Sequence, residues 1–347
     1  MRAAVMHAFG EPIAVESVAD PAVPADGALV EVRSTGVCRS DLHGWLGHHA
    51  AIRLPHVPGH EFAGVVAAVG PQVRGVRPGD RVTAPFCCGC GRCEPCRQGE
   101  TQICDVDYQP GFSAWGSFAE LVAVPVADLN CVPLPEAVGF DEAAALGCRF
   151  MTAFAALAVR GRVGPGDWLA VHGCGGVGLS AVMIGAALGA SVVAVDVVPG
   201  ALALARESGA AHAIDARDVD PAERIRALTG GGAHVSLDAL GTPATCAGSI
   251  RSLRKRGRHV QVGLLVGEDR EPPVPMAELI ARELDLVGVH GMAVRHYPAL
   301  LRLVASGAVQ PGRLVRRRIA LDGAGDALER MRIGEPGGEG ITVIDTF

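Results

Sequence analysis

The chain reads as an α/β protein, a doubly wound parallel sheet set into a second, β-rich domain. Three observations carry this. A strand, a glycine-rich turn, a helix and a second strand follow one another from Trp168 to Asp196 (WLAVHGCGGVGLSAVMIGAALGASVVAVD). Strand-like and helix-like segments then alternate to about Gly291, the pattern of a parallel sheet covered by helices. From Arg2 to about Val132, by contrast, short β-rich runs are broken by Gly and Pro.

In the first region the pattern predicts strands over Ala3–Phe9, Ala28–Val37, Phe62–Val69, Arg81–Phe86 and Phe118–Val124, a mostly antiparallel arrangement with long loops. A helical stretch opens at Asp141 and leads into the apolar strand Trp168–Val171. A helix over Leu179–Leu188 and a strand over Ser191–Val195, closed by Asp196, follow. Further strands are predicted at Ala211–Ile214, Val235–Leu237, His259–Val262 and Leu284–Val287, with helices near Ala201–Ser208, Ala222–Leu228 and Ala244–Leu253. Beyond Gly291 come helices over Tyr297–Ala305 and Gly325–Arg332 and a last strand, Ile341–Asp345. The tail is expected to rejoin the first domain, giving 1–147 with 292–347 as one domain and 148–291 as an insertion.

The turn Gly173-Cys174-Gly175-Gly176-Val177-Gly178 gives each glycine a job if the ligand is a dinucleotide. Gly173 permits the tight turn, Gly175 lets the backbone approach a pyrophosphate, and Gly178 lets the helix pack closely on the strand. Gly176 and Val177 open the helix, whose N-terminus attracts phosphates. Asp196, 18 positions after Gly178, sits where a carboxylate binds the adenine ribose hydroxyls. Val197 and Val198 follow where a 2′-phosphate calls for Arg, so the expected cofactor is NAD(H) rather than NADP(H). A membrane span competes, because the stretch holds no Asp, Glu, Lys or Arg between Asp167 and Asp196. Six glycines between Gly173 and Gly189 and the β-branched residues of Val192–Val197 argue against it.

A chain of 347 residues has room for two domains and a large core. Hydrophobic residues make up 49% and charged ones 20%, and the formal charge of −6 provides no overall nucleic-acid footprint. The arginine-rich pieces Arg251–Arg258 and Arg316–Arg318 read as solvated surface. The start MRAAVMHAFG lacks the apolar core of a secretion signal. Eleven cysteines is an odd number in a long chain, and four fall within Cys90–Cys104, which points to a reducing cytoplasm and to metal thiolates.

Those four, Cys90, Cys93, Cys96 and Cys104, read C-x2-C-x2-C-x7-C. Four soft thiolates can enclose one tetrahedral zinc with no open position, a structural site. An iron–sulfur cluster and a pair of disulfides are the alternatives. Cys87 and Cys88, just upstream, read as packing or loop residues.

Sequence spacing does not join the remaining candidates. The order GVCRSDLH, PGHEFAGVV, the four-cysteine loop, LGC and GCGGVG resembles the zinc-containing alcohol dehydrogenases of the medium-chain dehydrogenase/reductase superfamily, over essentially the whole chain. The resemblance implies a GroES-like catalytic domain and a Rossmann domain with the active site between them, and two zinc ions per chain. It assigns Cys38, His60 and Cys148 to the catalytic zinc, leaving a fourth position for water or substrate. Glu61 becomes an alternative ligand, and Asp41 a partner that orients His60. Trp45, Phe86, Trp115 and Met151 are placed at an apolar substrate pocket, although core packing accounts for each equally well.

The family chemistry is hydride transfer between an alcohol or a carbonyl and the nicotinamide. Its proton path maps onto Ser40 and His43, a hydroxyl that donates and accepts and an imidazole that titrates near neutrality; Ser40 as a turn residue is the bland alternative. Arg39 is expected at the pyrophosphate, and Val262, Gly263 and Leu264 beside the nicotinamide, with Leu237–Gly241 in the preceding loop. One departure stands out: many relatives end in Gly-Arg-x-Val, and here the run is Gly340-Ile341-Thr342-Val343.

The leading expectation is an NAD-dependent alcohol dehydrogenase or carbonyl reductase. A polyol or formaldehyde dehydrogenase of the same superfamily is the enzymatic alternative. A non-catalytic NAD(H)-binding redox sensor and a zinc-finger-like interaction module are the alternatives from other classes. By resemblance the assembly is a homotetramer, or a homodimer, with Leu284–Gly291 as a pairing edge, and no nucleic-acid or membrane partner is expected.

Overall fold

The computed structural model describes residues 1–334 and 340–347, in two compact units: Met1–Met151 with Gly291–Phe347, and Thr152–His290. The junction expected before Cys148 is thereby corrected, as residues 148–151 belong to the first unit. One helical run from Phe140 to Gly161 crosses the junction, so the sequence carries no break there. The turn bearing Cys148 packs on the strand Glu61–Val69 and stays with it.

The first unit is built on a seven-stranded sheet. Its path runs Val315–Ala320, Ile341–Thr346, Ala28–Val37, Glu61–Val69, Arg81–Thr83 and Val132–Pro133, with Leu121–Val124 also pairing Ala28–Val37. All pairings are antiparallel except that of the first two strands. Arg2–Val5 and Ala14–Ser17 form a separate hairpin. Ala28–Val37 is flanked on both edges, which fits its almost wholly buried side chains. The helix Tyr297–Ala305 buries Tyr297, Leu300, Leu301 and Val304, the i, i+3, i+4, i+7 stripe of an amphipathic helix.

The second unit is a six-stranded parallel sheet in the order His212–Asp215, Ser191–Asp196, Trp168–His172, Ala233–Asp238, Leu253–Gln261, Asp285–Gly288. Helices cover it, so Trp168–His172 and Ser191–Asp196 are apolar on both faces. The strand expected at His259–Val262 starts at Leu253 and stops at Gln261, leaving Val262 in the loop. Its first half, Leu253-Arg254-Lys255-Arg256, is too charged to read as a strand. The helix Met276–Arg282 and the edge strand Val315–Ala320 likewise escaped the hydrophobic pattern. Among the described residues no helix is long and apolar enough to cross a membrane.

His172, at the end of its strand, is 3% exposed, and burial pushes its pKa from 6.5 down to about 4. Between those values the unfolded chain binds a proton that the folded one excludes, so stability should fall as pH drops through that window. One shifted unit is worth about 1.4 kcal/mol, so the total loss attributable to His172 is about 3 kcal/mol. His172→Gln, which cannot charge, is expected to flatten this acid slope in urea titrations; an unchanged slope would remove the assignment.

Candidate metal centres and nucleotide loop

Cys90, Cys93, Cys96 and Cys104 converge, their sulfurs all lying within 4.8 Å of one another. The short helix Glu94–Arg97 turns the chain between the second and third of them. Backbone N–H groups donate to the sulfurs: Cys90 to Cys104 Sγ at 3.3 Å, Cys93 to Cys90 Sγ at 3.4 Å, and Val106 to Cys104 Sγ at 3.4 Å. Desolvation works against the Cys90 thiolate, but the N–H groups of Arg92 and Cys93 help draw its pKa down to about 6. The Cys93 and Cys104 sulfurs lie 3.8 Å apart. Four sulfurs about 2.3 Å from one ion have tetrahedral edges of about 3.8 Å, whereas a disulfide needs about 2.05 Å. All eleven cysteines are free thiols, and the donor set fits one zinc. Cys87 and Cys88 are buried and pushed upward by that burial, Cys87 to about 12, as inert packing thiols are.

The second cluster joins residues far apart in sequence. Pairing of Gly36 with Glu61 brings the end of Ala28–Val37 beside His60, so Cys38 meets His60 and Glu61. Cys148 reaches the same point from the π-helical turn Leu146–Phe150. The ligand atoms of Cys38, His60, Glu61 and Cys148 lie within 4.8 Å of one another, and all four residues are buried. Asp41, 1% exposed, accepts from the Cys38 N–H at 2.8 Å, the Gly59 N–H at 3.1 Å and His60 Nδ1 at 2.8 Å. Asp41 therefore holds a His60 proton on Nδ1 and turns Nε2 inward. That Nε2 is buried and finds no hydrogen-bond partner among the described residues. A buried ring nitrogen without a hydrogen-bond partner, set beside two thiols, fits a metal ligand.

Glu61 is held differently from a ligand. Its Oε1 accepts from the Arg149 N–H at 3.0 Å and from Arg149 Nε at 2.9 Å, and its Oε2 pairs with Arg149 Nη2. Burial raises the Glu61 carboxyl and the guanidinium opposes that, while Arg149 is itself held charged. Arg149 was not singled out in the sequence, though it adjoins Cys148 in LGCRF. Phe112 was also missed, and its ring lies 4.9 Å from that of His60.

Of the four side chains expected at a substrate pocket, Phe86 stands edge-on to His60 at 6.0 Å. Trp45 is packed in the core around Met6, Val37 and Val57, and its indole N–H is donated to the Glu11 carbonyl. Met151 is fully buried, its sulfur accepting from Tyr297 Oη. Trp115 is 38% exposed and donates to the Pro55 carbonyl. Packing accounts for Trp45 and Met151, because aromatic and thioether side chains serve a core as readily as a pocket, while Trp115 stays exposed. Ser40 Oγ lies 3.8 Å from Cys38 Sγ, and His43 Nδ1 lies 3.3 Å from His48 Nδ1. Burial, then His48 and Arg39, lower the His43 pKa. Arg39 itself is exposed at the start of the helix Arg39–Trp45.

In the second unit, Gly173 adopts φ +93° and a Cβ on Gly178 would strike the Gly173 carbonyl, so glycine is required at both. The space beside Gly175 is open, and the helix Gly176–Ala187 starts without a side-chain cap, leaving its first N–H groups for an anion. Asp196 accepts from the Cys174 N–H at 2.6 Å and from the N–H groups of Val197 and Val198 at 2.7 and 2.9 Å. Val197 and Val198 are 51% and 41% exposed.

Residues 24–136 match the alcohol dehydrogenase GroES-like domain and residues 176–306 the zinc-binding dehydrogenase family. An alcohol dehydrogenase of Geobacillus stearothermophilus is 32% identical over 99% of this chain and 100% of its own length. The chain belongs to the zinc-type alcohol dehydrogenases of the medium-chain superfamily. A sorbitol dehydrogenase of Bacillus subtilis is 33% identical over 95% of this chain and 93% of its own. The structure of an alcohol dehydrogenase from Thermus sp. ATN1 superposes with a TM-score of 0.92 at 32% identity, covering 100% of both chains. As a family member the enzyme is a zinc-dependent alcohol oxidoreductase that uses a nicotinamide dinucleotide, and its two clusters fit two zinc ions.

Proposed function

We propose that the enzyme is an NAD(H)-dependent alcohol dehydrogenase acting in both directions on alcohols and on aldehydes or ketones, with Cys38, His60 and Cys148 holding the reactive zinc. The observation that carries this is the unpartnered His60 Nε2 buried beside two thiols. When bound there, zinc supplies Lewis acidity, which makes an alcohol easier to deprotonate or a carbonyl easier to reduce. A bound nicotinamide would supply the hydride acceptor or donor.

The chain's own residues do the rest. Asp41 fixes the tautomer and orientation of His60. Arg149 grips both carboxylate oxygens of Glu61, which favours three protein ligands and an open fourth position. Ser40 and His43 carry the alcohol proton away, burial and then the neighbouring His48 and Arg39 favouring the neutral His43 that can accept it. Phe86 and Phe112 keep water from His60. The helix N-terminus at Gly176 takes the pyrophosphate, and Arg39 presents an exposed guanidinium whose fork suits a phosphate. Ile341, buried in the last strand, offers the cofactor no cation.

The choice of NAD(H) rests on Asp196, whose carboxylate suits ribose hydroxyls and repels a 2′-phosphate, with two valines rather than cations beside it. NADH should therefore bind more tightly than NADPH when both are titrated by fluorescence. Asp196→Asn should shrink that ratio by about tenfold or more, the cost of a bond to a charged acceptor. A wild-type preference for NADPH would overturn the assignment. The relative named sorbitol dehydrogenase supports a polyol as the second reading, and initial rates over simple alcohols, polyols and formaldehyde at fixed cofactor separate the two.

We further infer a cytoplasmic homotetramer or homodimer. Asp285–Gly288 pairs with a neighbour on one side only among the described residues, and Met276, Ile280 and Leu286 are exposed around it at 57%, 77% and 44%. Six cysteines gathered into two metal-ligand clusters suit a reducing compartment.

A further inference from the structure

Two loops of the second unit, at the C-terminal ends of Ala233–Asp238 and Leu253–Gln261, are tied together by a buried polar hub. Asp238 is fully buried. Its Oδ1 accepts from the N–H groups of Leu240 at 2.9 Å and Gly241 at 3.1 Å. Its Oδ2 accepts from Thr245 Oγ1 at 3.2 Å and from Gln261 Nε2 at 3.0 Å. Four donors fill the acceptor sites of the carboxylate, so its burial is offset without a cation among these partners.

The same Gln261 amide nitrogen donates to the Gly263 carbonyl at 2.9 Å. Its oxygen lies 3.1 Å from His259 Nε2, and His259 Nδ1 lies 2.9 Å from Ser249 Oγ. Asp238 sets the amide orientation, because the opposite flip would oppose two acceptors. Gln261 Oε1 can then only accept, which places the His259 proton on Nε2 and leaves Nδ1 to accept from Ser249. The main chain closes the assembly, with the N–H groups of Val262 and Gly263 donating to the Asp238 carbonyl at 3.1 and 2.8 Å. The loops run so close that a Cβ on Gly263 would strike the Gly241 nitrogen, and one on Gly241 the Leu264 carbonyl.

We propose that Asp238 and Gln261 are positioning residues that hold the backbone of Val262–Leu264 in place for the nicotinamide half of the dinucleotide, leaving the adenine half to Asp196 and the glycine loop. This rests on the nucleotide assignment above. Backbone groups of a loop cannot orient themselves, and here one carboxylate and one amide fix both loops at once.

The test compares NADH with ADP-ribose, which keeps the adenosine diphosphate and ribose but lacks the nicotinamide ring, in the full-length zinc-loaded enzyme. Binding of each is measured for wild type, Asp238→Asn, which turns a donor toward the Gln261 amide, and Gln261→Met, which keeps the shape without the bonds. Each variant should weaken NADH by about tenfold or more and raise the dinucleotide KM, while ADP-ribose affinity hardly changes. Equal weakening of both ligands, or of neither, would overturn the proposal, since a merely structural role does not distinguish them. Should Asp238→Asn fail to fold, Gln261→Met carries the test, because Gln261 sits at the partly exposed end of its strand. Failure of the wild type to bind either ligand would instead remove the underlying nucleotide assignment.

Discussion

Cys38→Ser is expected to abolish alcohol oxidation while leaving dinucleotide binding intact. The substitution keeps the size of the side chain but exchanges a soft thiolate for a hydroxyl that stays protonated and binds zinc poorly. It leaves His60 Nε2 and Cys148 as two donors where three are needed. Lewis-acid assistance is worth several kcal/mol, so the loss in kcat should be on the order of a thousandfold or more. The zinc content of the purified variant should fall by one ion per chain. Retained turnover, or unchanged zinc, would show that Cys38 is not a ligand. Nucleotide affinity serves as the internal control, since the glycine loop belongs to the other unit.

Cys93→Ser should instead act on the fold. The loop Cys90–Cys104 is rich in Gly and charged residues and has little apolar side chain to bury, so its conformation depends on closure around an ion. Backbone N–H groups already point at Cys90 and Cys104, and removing one of the four sulfurs opens the tetrahedron. A loss of roughly 4 kcal/mol would lower Tm by about 5 °C in a chain of this size. Chelator treatment of the wild type should reproduce the shift. An unchanged melting curve with unchanged zinc would argue against a structural metal.

The parts legible in the sequence are those whose information is local. The glycine turn, the helix Tyr297–Ala305 and the four-cysteine loop each carry their logic within about twenty residues, and the contacts they make are dictated by spacing. The Cys38, His60 and Cys148 set was joined only by resemblance, because 110 positions separate its first and last members; the pairing of Ala28–Val37 with Glu61–Val69 brings Cys38 to His60, and the packing of the turn Leu146–Phe150 on Glu61–Val69 adds Cys148. Arg149 and Glu61 illustrate what pattern cannot show. An arginine in an apolar helical stretch looks like a helix-end cation, yet it is 5% exposed and its guanidinium reaches a carboxylate 88 positions away. Asp238 and Gln261 were hidden for the same reason, as polar residues at strand ends whose partners come from neighbouring loops. Trp45 and Met151 are packed in the core, a placement that the sequence supports as well as a pocket for each.

Anomalous diffraction at the zinc edge, from crystals of the enzyme as purified, tests the central claim most directly. Two peaks per chain are expected. One should lie about 2.3 Å from each of Cys90, Cys93, Cys96 and Cys104 Sγ. The other should lie about 2.3 Å from Cys38 and Cys148 Sγ and about 2.0–2.1 Å from His60 Nε2, with Glu61 still paired to Arg149 and no fourth protein ligand. A second peak absent from that position, or one completed by Glu61 into a closed four-ligand site, would contradict an open, reactive zinc.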